Sequence, residues 1–112
     1  MSYINSMIVV TGGNTFTTPI NKCEAFSLEY QTWDRLPDLE KERKCHSACV
    51  AGDYLYVFCG LDDDSNCMES IERIIPGEED AWELITVPVE LKPRQLCGVV
   101  ALSSDRILIV GG

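Results

Sequence analysis

Asp62-Asp63-Asp64-Ser65-Asn66 sets five oxygen-bearing side chains in a row, the donor type that a hard cation such as calcium takes. A calcium loop of that kind also needs glycine at its sixth position and a bidentate glutamate at its twelfth. Those positions hold Cys67 and Arg73, so a calcium role is not expected. Cys45, His46 and Cys49 are zinc-type donors. On an extended strand, however, His46 points away from both cysteines, and no CxxC pair completes a set of four. His46 is also the chain's single histidine, too few for a copper centre built on several. The expectation is no metal, no cofactor and no catalytic residue. Glu24 and Glu72 are a different matter. Each interrupts a strand-like run, "CEAF" and "IERI", and a carboxylate buried there needs a partner.

The elements that position these groups must carry a strongly acidic chain. Nine basic side chains face 18 acidic ones, a formal net charge of −9 over 112 residues. Such a surplus repels phosphate backbones and anionic lipid surfaces, so neither nucleic acid nor membrane is an expected partner. No apolar run approaches transmembrane length, and the start "MSYINSMIVVTGG" has no basic n-region. Six cysteines could form a disulfide framework. Cys49 and Cys59 nevertheless sit in "CHSACVAG" and "YLYVFCG" as small apolar strand residues. Free thiols and a cytoplasmic setting are therefore expected.

A repeat organises the chain. "IVVTGG" at 8–13, "YVFCGL" at 56–61 and "LIVGG" at 108–112 place Gly12, Gly60 and Gly111 at spacings of 48 and 51 residues, a period typical of repeat architectures. Glu24 and Glu72 each follow their glycine by 12 residues, and Trp33 and Trp82 follow by 21 and 22. Arg43 and Arg94 each precede theirs by 17, and His46 and Cys97 by 14. Each unit reads as strand, turn, strand ending in glycine, loop, strand, turn, and strand with tryptophan. In the complete unit the strands fall at 46–50, 55–59, 71–75 and 82–86. Turn signals at Gly52-Asp53, Pro76-Gly77 and Pro88 separate them. The charged "DLEKERK" at 38–44 reads as a solvated loop.

These features resemble the kelch repeat. The resemblance rests on the glycine doublets Gly12-Gly13 and Gly111-Gly112, on Gly60, on Phe26 and Ile74 two residues after the glutamates, and on Trp33, Trp82, Arg43 and Arg94. Leu61 stands where the middle doublet would have its second glycine, and Ile74 where the family usually has tyrosine. Trp33-Asp34 is a "WD" dipeptide, but WD repeats are shorter and carry an upstream Gly-His that is absent here. The resemblance implies an all-β fold, a kelch-type β-propeller fragment built from four-stranded antiparallel blades in an open arc of about two blades. Residues 1–6 would form an N-terminal tail and 7–42 the last three strands of a first blade. A complete blade would span 43–88, and 89–112 would hold two strands of a third. Trp33 and Trp82 would lie buried between blades, and Arg43 and Arg94 would be candidate partners for Glu24 and Glu72.

The function implied is protein–protein interaction, as a scaffold or substrate-recognition adaptor, with a ubiquitin-ligase or cytoskeletal component among the partners the resemblance implies. A non-enzyme is expected. The alternative is a piece of an epimerase- or oxidase-like propeller whose catalytic residues lie in other blades. Segments 14–22, 38–46, 61–70 and 89–96 would share one rim. Asn14, Phe16, Arg43, Lys44, Asp62, Asp63, Asp64, Asn66 and Arg94 are the contact candidates there, with Phe16 foremost as a bulky aromatic in a polar loop. An arc also leaves blade faces uncovered, so a fragment that self-associates is expected.

Overall fold

A computed structural model describes residues 1–85 and 92–112. Runs that are apolar at nearly every position, such as "YLYVF", favour strands covered on both sides, and the described residues form ten strands and no helix. They are β1 (Ser2–Ile4), β2 (Met7–Thr11), β3 (Cys23–Ser27), β4 (Thr32–Leu36), β5 (Ser47–Ala51), β6 (Tyr54–Phe58), β7 (Ile71–Ile74), β8 (Glu83–Ile85), β9 (Gly98–Ser103) and β10 (Arg106–Val110). All pairings are antiparallel, and the strands make three sheets: β1–β4 and β5–β8 with four strands each, and the hairpin β9–β10. Among the described residues no helix is long and apolar enough to cross a membrane, which says nothing of β-barrel spanning. The expected boundary between residues 88 and 89, and the turn at Pro88, lie outside the described residues.

The sheets stack face to face, with β5 next to β1 on one side and β9 on the other. Between the first and second sheets lies a core of Ile4, Val9, Cys23, Ala25, Leu39, Leu55, Val57, Ile74 and Trp82. Between the second and third lie Phe58, Cys59 and Ile71, with Val99, Ile107 and Ile109 packed against them. Strand alternation sorts the faces. In the second sheet Leu55, Val57, Glu72 and Ile74 look back toward the first, and Tyr56, Phe58 and Ile71 look forward to the third.

Three sequence expectations need correction. Ser2–Ile4, expected within a tail, form β1: Asn5 and Ser6 have φ of 50° and 59°, the type I′ hairpin pattern. Ile4 then reaches the core, and the first sheet gains its fourth strand. The second correction concerns the glycines. Gly13 and Gly60 donate to Arg43 O and Arg94 O, each at 2.9 Å, and Gly13, Gly60 and Gly112 share φ of 107°, 101° and 100°. The preceding position holds Gly12, Cys59 and Gly111, with φ of 54°, 58° and 80°. Cys59, not Leu61, is therefore the substituted member of the middle doublet. A Cβ on Gly60 would sit 2.5 Å from Lys44 O and 2.9 Å from His46 Cβ, so only glycine fits.

The third correction is Trp33. Trp82 is buried, and its Nε1 donates to Pro37 O, just after β4, at 2.8 Å. Trp33 occupies the equivalent place on the first sheet but is 57% exposed, resting on Phe26 with ring centroids 5.2 Å apart. Among the described residues no sheet lies on that side to cover it.

Candidate functional site

Antiparallel alternation sends the β2–β3 loop, the β6–β7 loop and the β4–β5 connection to the same edge, where residues 92–97 before β9 join them, and hydrogen bonds lace them together. Arg43 N donates to Ile20 O (3.2 Å), Leu39 N to Asn21 O (2.8 Å), and Asn21 Nδ2 returns to Leu39 O (3.3 Å). Lys44 and Leu61 exchange bonds of 3.1 and 2.7 Å, and Arg94 N donates to Met68 O at 3.1 Å. Most of the sequence-predicted rim segments thus meet, although 89–91 lie outside the described residues.

One buried ion pair anchors this edge. Arg43 and Glu72 are wholly buried, with Nη2 2.7 Å from Oε2. Arg43 Nη1 also donates to Cys59 O (2.9 Å) and Ser70 O (3.1 Å), and Nη2 to Ser70 Oγ (2.9 Å). Glu72 further accepts from Glu40 N (2.6 Å) and Lys41 N (3.3 Å). Burial pulls the Arg43 pKa down, and the Glu72 carboxylate works against that pull. This set of partners offsets much of the cost of desolvating both charges, with Arg43 Nε the one donor of the guanidinium left without a partner, and removing either partner alone would cost about 3–5 kcal/mol. Arg43, expected as a contact residue, is therefore an internal clamp fixing the backbone of residues 40–44. Arg94 follows the pattern in part, donating to Gly111 O at 2.9 Å. Glu24 is exposed, and no arginine pairs with it among the described residues.

Above the clamp opens a cleft of about 610 Å³ between the β4–β5 connection and the β6–β7 loop. Among the described residues, six carboxylates line it, from Glu40, Glu42, Asp62, Asp63, Asp64 and Glu69, with Lys41 as the one cation. Asp62 Oδ1 accepts from Asp64 N (3.0 Å) and Asn66 N (2.9 Å), so this carboxylate shapes the loop. Asp63, Asp64 and Asn66 remain exposed, and Lys44 is half-buried. Among the described residues no three His, Cys, Asp or Glu side chains converge as metal ligands. Sequence reasoning missed Glu40, Lys41, Glu42 and Glu69 as lining. The "DLEKERK" run carried the signal, but its charges read only as solvation.

On the same edge, residues 13–20 form a tight excursion. Asn14 bridges Pro19, and Thr15 N donates to Thr18 O at 2.9 Å. Phe16 stands at its tip with its ring entirely in solvent. His46, by contrast, turns inward: its Nε2 lies 3.0 Å from Thr11 Oγ1 and its buried Nδ1 has no partner. Burial first, and then the Arg43 charge, push its pKa down to about 4. All six cysteines are free, and burial raises the Cys23 thiol to about 11 and shifts Cys49 and Cys59 upward. Those three are poor nucleophiles at neutral pH.

Two stretches, residues 1–40 and 42–86, match the family model described as the Kelch motif. Similar proteins include the Kelch repeat protein M-T9 of Myxoma virus (strain Lausanne), 24% identical over 97% of this chain and 20% of that protein. The Kelch repeat and BTB domain-containing protein 2 of Cowpox virus is 28% identical in strain Brighton Red and 27% in strain GRI-90 / Grishak. Each alignment covers 97% of this chain and 19% of the relative. The chain thus spans about a fifth of the length of these relatives.

Proposed function

The chain belongs to the kelch-repeat family, and we propose that it is a protein-interaction module whose acidic rim cleft receives a lysine- or arginine-rich segment of a partner protein. The observation that carries this reading is the cleft itself. Six carboxylates face one opening, on backbone that the Arg43–Glu72 pair holds in place before any partner arrives. Fixed charge steers a cationic partner and discriminates against acidic ones. Preorganisation spares the ordering cost of binding. Phe16 supplies an exposed apolar anchor on the same edge.

In this reading the three sheets are consecutive kelch units of a larger propeller, in keeping with the fraction of its relatives that the chain spans. Two of those relatives are named as kelch and BTB proteins, which supports a substrate-recognition adaptor over an enzyme. The free thiols suit a reducing, cytoplasmic setting.

A fluorescent peptide of about ten residues, rich in lysine and arginine, tests the proposal by titration. Asp63→Lys with Asp64→Lys should weaken binding at least about tenfold, about 1.4 kcal/mol. Glu78→Lys with Asp80→Lys makes the same change in net charge at the β7–β8 turn, on the opposite edge, and should weaken it less than about twofold. Equal losses from the two pairs would reduce the effect to overall charge and end the cleft reading.

A further inference from the structure

The loops that leave β2 and β6 share one backbone frame. Gly13 O and Gly60 O accept from Ile20 N (2.9 Å) and Met68 N (2.8 Å). Asn14 bridges Pro19 as Leu61 bridges Cys67. Inside those bridges Thr15 N donates to Thr18 O (2.9 Å), as Asp62 N does to Asn66 O (3.1 Å). Phe16 therefore stands where the next unit has Asp63. That position belongs to the rim and not to a sheet-to-sheet face. The second unit has a sheet on each side, and its Asp63 is still exposed. Adjoining connections engage the loop only at its base, Lys44 at Leu61 and Arg94 at Met68. The exposure of Phe16 is thus a property of its loop, whatever adjoins the first sheet.

The two frames carry different chemistry. One presents Asp62, Asp63 and Asp64, while residues 13–20 have no charged side chain. Their Phe16 borders an open recess of about 480 Å³ with Asn14 and Thr15, room for one apolar side chain. The 38–44 connection runs between the loops, bonded to the first by Arg43 N and Ile20 O and to the second through Lys44 and Leu61. A segment that fills the cleft and continues across this connection meets Phe16 next. Equivalent points on successive sheets are at least about 10 Å apart, three residues of extended chain. Asn21, in the cleft wall, follows Phe16 by 5 residues, which limits that span to about 18 Å, or five to six extended residues. We propose that the neutral loop adds an apolar subsite to the acidic cleft. The preferred partner segment then carries an apolar side chain about three to six residues from its lysine- and arginine-rich run. This inference rests on the cleft reading and adds a second determinant to it.

Fluorescence titration of the 112-residue chain tests it with a peptide holding a run of about five lysines and arginines between flanks of glycine and serine. Leucine then replaces one serine three or six residues from the run, on either side. At least one leucine peptide should bind at least about fivefold tighter than the serine peptide. Phe16→Ser should bring the two to within about twofold of each other, and Phe16→Leu should keep most of the gain. Asp63→Lys with Asp64→Lys should weaken both peptides and preserve their ratio. Leucine peptides that bind no tighter than the serine peptide, or a gain that survives Phe16→Ser, would overturn the inference and leave the cleft reading standing. A serine peptide indifferent to Asp63→Lys with Asp64→Lys would bring down the cleft reading, and the inference with it.

Discussion

His46 is held neutral by its surroundings. Its Nε2 is engaged by Thr11 and its Nδ1 is buried without a partner, so the less costly tautomer keeps the proton on Nε2, donating to Thr11, and leaves only a lone pair unpaired. An imidazolium would place a second cation near the buried Arg43, in keeping with the fall of the His46 pKa from 6.5 to about 4. The sign follows from linkage. Between these values the unfolded chain binds the proton and the folded chain does not, so stability contributed by neutral His46 is complete above about pH 6.5. It is lost as pH falls toward 4. The loss is on the order of 2–3 kcal/mol, the upper figure being reduced by the ring's partial exposure. His46→Gln keeps a hydrogen-bonding group near Thr11 but does not titrate. Urea unfolding from pH 7 to pH 4 should therefore show the parent losing more stability than the variant by that amount. Parallel curves would mean that the ring is already solvated.

Among the elements, β4 contains and β8 directly follows the same tryptophan signal, in different surroundings. Trp82→Ala removes a buried ring and its bond to Pro37 O, and should cost about 3–5 kcal/mol. Trp33→Ala removes an exposed ring whose one aromatic neighbour is Phe26, and should cost about 1 kcal/mol or less. Urea midpoints of the two variants measure the contrast, and equal losses would contradict the exposure of Trp33. That contrast also marks what was legible in the sequence. Runs such as "YLYVF" announce strands because every position is apolar, and expected strands at 55–59 and 71–75 appear as Tyr54–Phe58 and Ile71–Ile74. Three residues are too few to show a period, so β1 was hidden. The glycine equivalence was hidden by a bulge at Arg106/Ile107, which makes Gly98 to Val110 one residue longer than Ser47 to Phe58. At the site, the aspartate run was legible as charge. The fate of Arg43 was not, because an offset along the chain carries no information about depth.

At the scale of the whole molecule, stability should be graded across the stack. Stacked repeats draw their stability from neighbours, so a unit with two neighbours is held more firmly than a unit with one. The second sheet contributes to both cores, through Leu55, Val57 and Ile74 on one face and Phe58, Cys59 and Ile71 on the other. It also holds the Arg43–Glu72 pair. The first and third sheets contribute to one core each, and the third is only a hairpin, an element marginal by itself. Hydrogen exchange should therefore find the paired amides of β6 and β7 slowest. Those of β9 and β10 should exchange at least about tenfold faster, and those of β1–β4 in between. Ser47 Oγ donates to Cys97 O and ties β5 to the start of β9, so Ser47→Ala should speed exchange in β9–β10 and leave β2–β3 unchanged. Uniform protection across all three sheets would mean that the stack opens as one unit, and that the outer sheets draw on more than the one core each shares with the second sheet.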